Sequence, residues 1–257
     1  MRLFGDLPEE DLENLATSYL ADFKNLKEVN FIVVGASGFL GKWISTFVKF
    51  LQKNLIFSGT LTLVVRDPYK LNDLMHSDNV RKFKILVSDA ISKASFSHLQ
   101  ESRTVVIFAA TSTASSGINK KSQQDKGILL AERIITSLPS IPITFVHLSS
   151  GGIYLPKSRL LKKIPGNYPL QLSSEDSYIS EKLAFEYWTP PQHNEKFVVF
   201  RNPRLFAFYG PGLQLDRHFA IANFMRQGLE GNTILIKGNP NTLRSYLYPT
   251  DAIKQIL

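Results

Sequence analysis

One short segment restricts this chain more than any other. Phe31 to Val34 is an apolar, β-favouring run, and Gly35-Ala36-Ser37-Gly38-Phe39-Leu40-Gly41 follows it directly. Beyond the turn a helical stretch carries Phe39, Leu40, Trp43, Ile44, Phe47, Val48 and Leu51 on one side. In a strand-turn-helix unit of this kind Gly35 permits the tight turn. Gly38 leaves room for a pyrophosphate to approach the backbone, and Gly41 lets the helix pack close on the strand. The unpaired amides and dipole at the helix start favour an anion. The plain alternative is an ordinary βα turn with spare glycines. The strand before and the helix after favour a dinucleotide site built by Gly35, Ser37, Gly38, Phe39, Leu40 and Gly41.

The rest of the chain repeats this alternation. Strands are predicted at Leu61 to Val65, Phe83 to Val87, Thr104 to Ala109, Ile143 to Leu148 and Lys196 to Phe200, with helices over residues 117 to 138 and 176 to 188. Continuous apolar strands separated by helices are parallel strands buried on both faces. The fold class expected is α/β, a doubly wound parallel sheet (Rossmann) over residues 29–203. Residues 6 to 26 read as an amphipathic helix within an extension over 1–28, with Asp6 and Glu9 as a capping box and Leu12, Leu15, Tyr19, Phe23 and Leu26 on its apolar face. After Pro203 the texture changes. A helix at His218 to Leu229 and strands at Thr233 to Ile236 and Arg244 to Tyr248 suggest a small substrate lobe over 204–257.

Charge bears on what the chain can bind. Lys plus Arg number 30 against 22 Asp plus Glu, a net charge of +8 that suits anionic ligands. The basic residues are scattered, which argues for small anions over nucleic acid. Without cysteine there is no disulfide, thiolate metal site or cysteine nucleophile. No His or acid cluster has metal-ligand spacing, and the five histidines, His147 among them, read as structural. No apolar run reaches the roughly 18 residues of a membrane span, and the acidic start is unlike a signal peptide. The expectation is a soluble cytoplasmic protein without membrane partners.

The second strand ends Val65-Arg66-Asp67-Pro68. An acid at its end would bond the ribose hydroxyls of NAD, whereas Arg66 suits the 2′-phosphate of NADP or the adenine face. NADP(H) is therefore favoured over NAD(H), with Asp67 keeping NAD open and a solvated Arg66 as the plain alternative. Asp89 is placed to accept from the adenine amino group. Ala109 and Ala110 end the fourth strand and, with Thr111 next to them, floor the cofactor site.

Tyr178 and Lys182 stand four apart in a predicted helix and share one face. Ser150 ends the fifth strand. A free tyrosine is a poor base at pH 7, and a lysine ammonium beside it favours the phenolate. Tyr178 can then take a proton from a sugar hydroxyl that Ser150 holds, while Lys182 and Tyr178 also contact the cofactor. A Tyr-x-x-x-Lys pair alone occurs by chance; with the glycine turn and the strand-ending serine it becomes a candidate catalytic site.

Together these residues resemble the extended short-chain dehydrogenase/reductases of the NAD-dependent epimerase/dehydratase family. The resemblance spans residues 30 to 257 and includes Ser149-Ser150-Gly151-Gly152-Ile153-Tyr154, Phe206-Ala207-Phe208-Tyr209-Gly210-Pro211-Gly212 and Arg244-Ser245-Tyr246-Leu247-Tyr248. It implies nucleotide-diphosphate sugars as substrates, Ser150, Tyr178 and Lys182 as catalytic residues, and Arg244 as a contact to the substrate diphosphate. It further implies a homodimer built by the helices at 117–138 and 176–188. The leading helix is similar to a subgroup associated with surface-polysaccharide sugars. Ala207 stands where the common pattern has Asn, Leu155 where it has Gly, the basic loop from Pro156 to Gln171 is unlike the family, and the family continues beyond Leu257. The substrate lobe is therefore expected to be truncated or minimal.

Sugar dehydratases of the family follow the catalytic hydroxyl with an Asp-Glu pair, but Gly151 and Gly152 follow Ser150 here. What remains is epimerisation by hydride transfer, as in 4-epimerases, or net reduction of a keto-sugar, and the resemblance leans towards the epimerase. The alternatives are an NADPH-dependent keto-sugar reductase or a dinucleotide binder without turnover.

Overall fold

The computed structural model describes residues 3–4, 7–18, 27–71, 83–99, 101–110, 120–155, 163–171, 173–189, 198–215, 220–236 and 238–257. Six parallel strands form the central sheet: β1 (Asn30–Val34), β2 (Leu61–Val65), β3 (Phe83–Val87), β4 (Thr104–Phe108), β5 (Ile143–His147) and β6 (Val198–Arg201). Their order is β3-β2-β1-β4-β5-β6. This is the doubly wound Rossmann arrangement expected from the sequence. The order reverses between β1 and β4, and a crevice for ligands opens at the carboxyl ends of strands at such a point.

Both faces of the sheet are covered, which is why its central strands are apolar throughout. Alternate residues serve opposite layers. Phe31 and Val33 of β1 join one core with Leu61, Leu63, Val105 and Ile107. Ile32 and Val34 join the other with Val64, Val106 and Phe108. The first layer is closed by α1 (Glu9–Ser18), α2 (Phe39–Lys53) and α6 (Pro249–Ile256), whose Leu12, Leu15, Trp43, Phe47, Ala252 and Ile253 are buried together. The second is closed by α3 (Lys120–Ser137) and α4 (Ser177–Tyr187), through Ile134, Ile135 and Phe185. Helix α5 (Ala220–Leu229) completes the described helices.

Polar ties fix the two ends of the sheet. Buried Asn30 donates from Nδ2 to Ser102 O and Thr104 Oγ1, and its Oδ1 accepts from Thr60 Oγ1 at 2.7 Å. These bonds align the starts of β1, β2 and β4. On the other side Trp43 Nε1 donates to Pro211 O at 2.9 Å, and the Tyr248 hydroxyl donates to Asp11 Oδ2 at 2.5 Å. The residues after 204 are thereby stitched onto α1 and α2.

Three sequence expectations are corrected. The leading helix starts at Glu9, because Leu7–Pro8 is extended and paired with Leu3–Phe4. Asp6, Tyr19, Phe23 and Leu26 lie outside the described residues. Thr233 to Ile236 is exposed coil, not a strand. The Leu235 amide is taken at 2.7 Å by the Gln227 side chain, so it has no ladder partner. Of Arg244 to Tyr248 only Tyr246–Leu247 is strand, paired in parallel with Ala207–Phe208.

Candidate active site

The glycine turn lies at the point where the sheet order reverses. Gly35 follows β1 with φ +81°, a left-handed conformation that favours glycine. A Cβ there would stand 2.7 Å from Ala110 N, and one on Gly41 would stand 2.2 Å from Gly35 O. The turn is therefore pressed against both the chain leaving β4 and the first turn of α2. At Gly38 a Cβ would meet Gly35 O alone, at 3.2 Å. Ser37 and Gly38 are exposed, and the start of α2 has no side-chain cap. Its first amides are left for an anion, as a pyrophosphate cradle requires. Phe39 packs on Phe208 and Leu40 is buried, so these two reach the site through their backbone.

The other expected cofactor residues line the same edge. Arg66 is exposed just after β2, while Asp67 Oδ1 accepts from the Tyr69 amide at 3.0 Å and caps the short helix Pro68–Leu71. Asp89 is exposed in the turn Ser88–Ala90 after β3. Ala109 and Ala110 follow β4 against Gly35. Thr111 lies outside the described residues.

Ser150, Tyr178 and Lys182 come together beside that edge. Ser150 is paired in parallel to Leu205 and starts the 3-10 turn Gly151–Ile153. Its Oγ accepts from Gly152 N at 3.2 Å, which leaves the hydroxyl hydrogen for the phenol of Tyr178, to which it is bonded. Asp176 caps α4 by accepting from the amides of Tyr178 and Ile179, so the helix begins with Tyr178 aimed at the serine. One turn on, the Lys182 ammonium sits 5.6 Å from the centre of the Tyr178 ring.

The electrostatics pull in different directions. Burial raises the Tyr178 phenol above its ordinary value, the bond from Ser150 opposes this, and the charges of Glu181 and Asp176 add to it. Burial lowers Lys182 to about 8 against a raising effect of Glu181, so it stays mainly charged at neutral pH. Lys182 Nζ also donates to His147 Nε2 at 3.4 Å, and His147 Nδ1 donates to Asn202 Oδ1 at 2.8 Å. Burial and the lysine charge hold His147 well below the usual histidine value, and the ring stacks on Phe185 at 4.2 Å.

A second network supports the serine from behind. Ser149 Oγ donates to Glu186 Oε1 at 2.7 Å, and Arg204 grips the same carboxylate with two nitrogens, each at 3.0 Å. Arg204 also donates to Gly166 O and to the Tyr154 hydroxyl. The sequence reading missed Glu186, Arg204 and Asn202, and treated His147 as structural only. Glu186 carries a usable signal, since it stands four residues after Lys182 on the same helix face. Arg204 and Asn202 lie on a separate chain segment and carry no such spacing.

Two glycines beside Ser150, Gly151 half-buried and Gly152 exposed, each have one side chain close by. A Cβ on Gly151 would lie 2.4 Å from the Phe206 ring, and one on Gly152 would lie 2.4 Å from Ile179 Cδ1. Arg244 is exposed on the coil leading into Tyr246–Leu247, which pairs with Ala207–Phe208. Among the described residues no group of three His, Asp or Glu could hold a metal ion, and no helix is long and apolar enough to cross a membrane.

A glycine turn at the reversal point of a parallel sheet, with a Ser-Tyr-Lys group beside it, defines a dinucleotide-fold protein of the extended short-chain type. Residues 31–257 match the NAD dependent epimerase/dehydratase family, and the chain belongs to that family. By sequence it is 26% identical over 83 residues to UDP-glucuronic acid decarboxylase 6 of Arabidopsis thaliana, a match spanning 32% of this chain and 23% of that protein. By structure it is similar to a UDP-N-acetylglucosamine 4-epimerase from Methanobrevibacter ruminantium, solved with UDP-N-acetylmuramic acid. That likeness has TM-score 0.60 and 17% identity and covers 90% of this chain and 72% of the other. It is also similar to a dTDP-glucose 4,6-dehydratase from Streptomyces venezuelae with NAD bound, at TM-score 0.61 and 15% identity, covering 88% and 70%. These structural likenesses concern the fold.

The buried histidine makes stability depend on pH. An unfolded histidine titrates near 6.5, whereas folded His147 stays neutral to lower pH. Below that value the unfolded chain binds a proton that the folded chain refuses, so acidification lowers stability. Urea unfolding between about pH 7.5 and 5 is expected to weaken faster in the native chain than in His147→Gln, by up to about 1.4 kcal/mol per pH unit. Equal slopes would mean that His147 titrates normally in the folded protein.

Proposed function

We propose that this protein is an NAD(P)-dependent nucleotide-sugar 4-epimerase. The observation that carries the reading is the phenol of Tyr178, hydrogen-bonded to Ser150, with the buried ammonium of Lys182 one helical turn away. The residues fit a dinucleotide. Gly35, Ser37, Gly38 and Gly41 would cradle the pyrophosphate, with the backbone of Phe39 and Leu40 at the helix start. Asp89 would take the adenine, and Ala109, Ala110 and Thr111 would floor the site. A nicotinamide dinucleotide bound there supplies the hydride acceptor and donor, and its oxidised ring brings positive charge.

Tyr178 acts as the base. It takes the proton from the sugar hydroxyl, and Ser150 holds the same oxygen by hydrogen bond. In the free protein the phenol is protonated at neutral pH as any tyrosine is, and burial adds to this, so the reaction needs positive charge beside it. Lys182 would supply part of that charge and would also bond the nicotinamide ribose. Arg244 would meet the diphosphate of the sugar nucleotide.

The family name and the structural neighbours include dehydratases. The preference for epimerisation rests on Gly151 and Gly152, which offer no acid or base where an Asp-Glu pair would act in elimination. The packing of Phe206 and Ile179 against them supports that preference.

Tyr178→Phe is expected to keep the fold and cofactor affinity while turnover on the accepted nucleotide sugar falls by at least about a hundredfold. Lys182→Ala should lose as much turnover and weaken cofactor binding too. A Phe variant with normal turnover, on a panel of nucleotide sugars, would remove Tyr178 from the chemistry.

Arg66 supports NADP(H) as the preferred cofactor, since Asp67 is engaged in capping and Arg66 is exposed at the strand end. Titration should show NADP(H) binding more tightly than NAD(H), with the order reversed in Arg66→Asp. Equal affinities in the native chain would show that the arginine does not read the phosphate.

We further expect a homodimer through α3 and α4, where Leu129 and Tyr187 leave apolar surface exposed. Light scattering at micromolar concentration should give about twice the 29.0 kDa chain mass. A particle of single-chain mass would count against this.

A further inference from the structure

We propose that His147, held by Asn202, is a positioning residue that keeps Lys182 protonated and aimed at Tyr178. The inference rests on the reading of Tyr178 as base, and it assigns work to a side chain that sequence reasoning left as filler.

The geometry leaves His147 one role. Its Nδ1 lies 2.8 Å from Asn202 Oδ1, an atom that can only accept, so the ring proton is on Nδ1. Nε2 then presents a lone pair, and Lys182 Nζ lies 3.4 Å from it. The ring cannot swing away. It is fully buried and stacked on Phe185 at 4.2 Å and 12°, and Phe108 packs against it at 6.4 Å. Nor can it readily charge, since burial and the lysine both oppose its protonation. The ammonium is therefore backed by a fixed, neutral acceptor that draws one N–H away from the crevice. The remaining two can face the phenol and a ribose hydroxyl.

Lys182 needs that partner. It is 2% exposed, and burial, opposed in part by Glu181, brings it down to about 8, near neutral pH. Among the described residues the charged groups to weigh are these. On α4 these are Glu181, which raises it, with Asp176 at the cap beside Tyr178. Glu186 on the same helix is already held by Arg204 and Ser149. From β5 comes His147 itself. On α3, Lys126 is exposed and Glu132 accepts from Trp188 Nε1. Removing the imidazole takes away a lone pair that bonds the ammonium more strongly than it bonds the neutral amine, so the lysine should lose its proton more easily.

The test reads Lys182 directly. In protein labelled with 13C-lysine the ε-carbon shift follows the charge of each amine, and Lys182 is the resonance missing from Lys182→Met. Its midpoint in the native chain is expected at about 8. In His147→Phe, which keeps a ring against Phe185, it should fall by about one unit, a tenfold loss of proton affinity. His147→Gln offers an amide oxygen to the ammonium and should recover most of that loss. Asn202→Ala keeps the imidazole but releases its tautomer, and should lower the midpoint in the same direction. Should His147→Phe fail to fold, Asn202→Ala decides alone. An unmoved or raised midpoint in the folded variants overturns the proposal, whatever Tyr178 does. If the midpoint falls as expected and Tyr178→Phe still turns over normally, the support of Lys182 by His147 stands and the base reading fails.

Discussion

A lysine ammonium lies inside this protein at 2% exposure, and much of the site follows from accommodating it. Removing an ammonium from water costs several kcal/mol even after the protein relaxes, unless hydrogen bonds and charge offset it. Lys182 finds a lone pair on His147, a carboxylate next door in Glu181, and the face of the Tyr178 ring. Each partner must in turn be held. His147 is fixed at the end of β5 by Asn202 and by a group of aromatic rings that includes Phe108, Phe145 and Phe185. The apolar second layer of the core is thus also the wall that keeps water from the ammonium.

Helix α4 sets the spacing. Asp176 fixes where it starts, and Tyr178, Lys182 and Glu186 then recur at four-residue intervals along one face. The first reaches Ser150, and the last reaches Ser149 and Arg204. Two adjacent serines on one short strand are therefore bonded to both ends of the same helix. The separation of Ser150 from Tyr178 is fixed by this bracing, and Arg204 extends it to the Gly166 carbonyl. Arg204 and Glu186 are only partly shielded, at 24% and 7% side-chain exposure, yet the bidentate geometry makes them more than a surface pair.

What could be read in advance follows from how local each signal is. The strands β1, β2 and β4 are buried on both faces and read as continuous apolar runs; their bounds differ from expectation by a residue at most. The glycine turn is legible because its demands arise within seven residues. Tyr178 and Lys182 are legible because one helical period relates them. Thr233 to Ile236 misled because β-favouring residues form a strand only beside a partner, and Gln227 takes the Leu235 amide instead. The leading helix was drawn too early because Leu7 and Pro8 answer to a pairing with Leu3 and Phe4 that periodicity does not register. Arg204, Asn202 and Phe206 reach the site only through the tertiary fold.

Phe206 gives the glycines beside Ser150 a different meaning. On the sequence Gly151 and Gly152 register as two missing functional groups. In three dimensions the place of one side chain is held by an aromatic ring and that of the other by Ile179. Phe206 is also stacked on Tyr154, which Arg204 bonds and overlies, so the ring is not free to move alone. Installing a carboxylate at Gly151 would require that stack to shift. The wall next to the serine is therefore carbon, with Phe206 still 46% exposed toward solvent. Such a wall can shape what lies against it but cannot move a proton, so in the proposed chemistry proton transfer falls to Tyr178 and its support to Lys182.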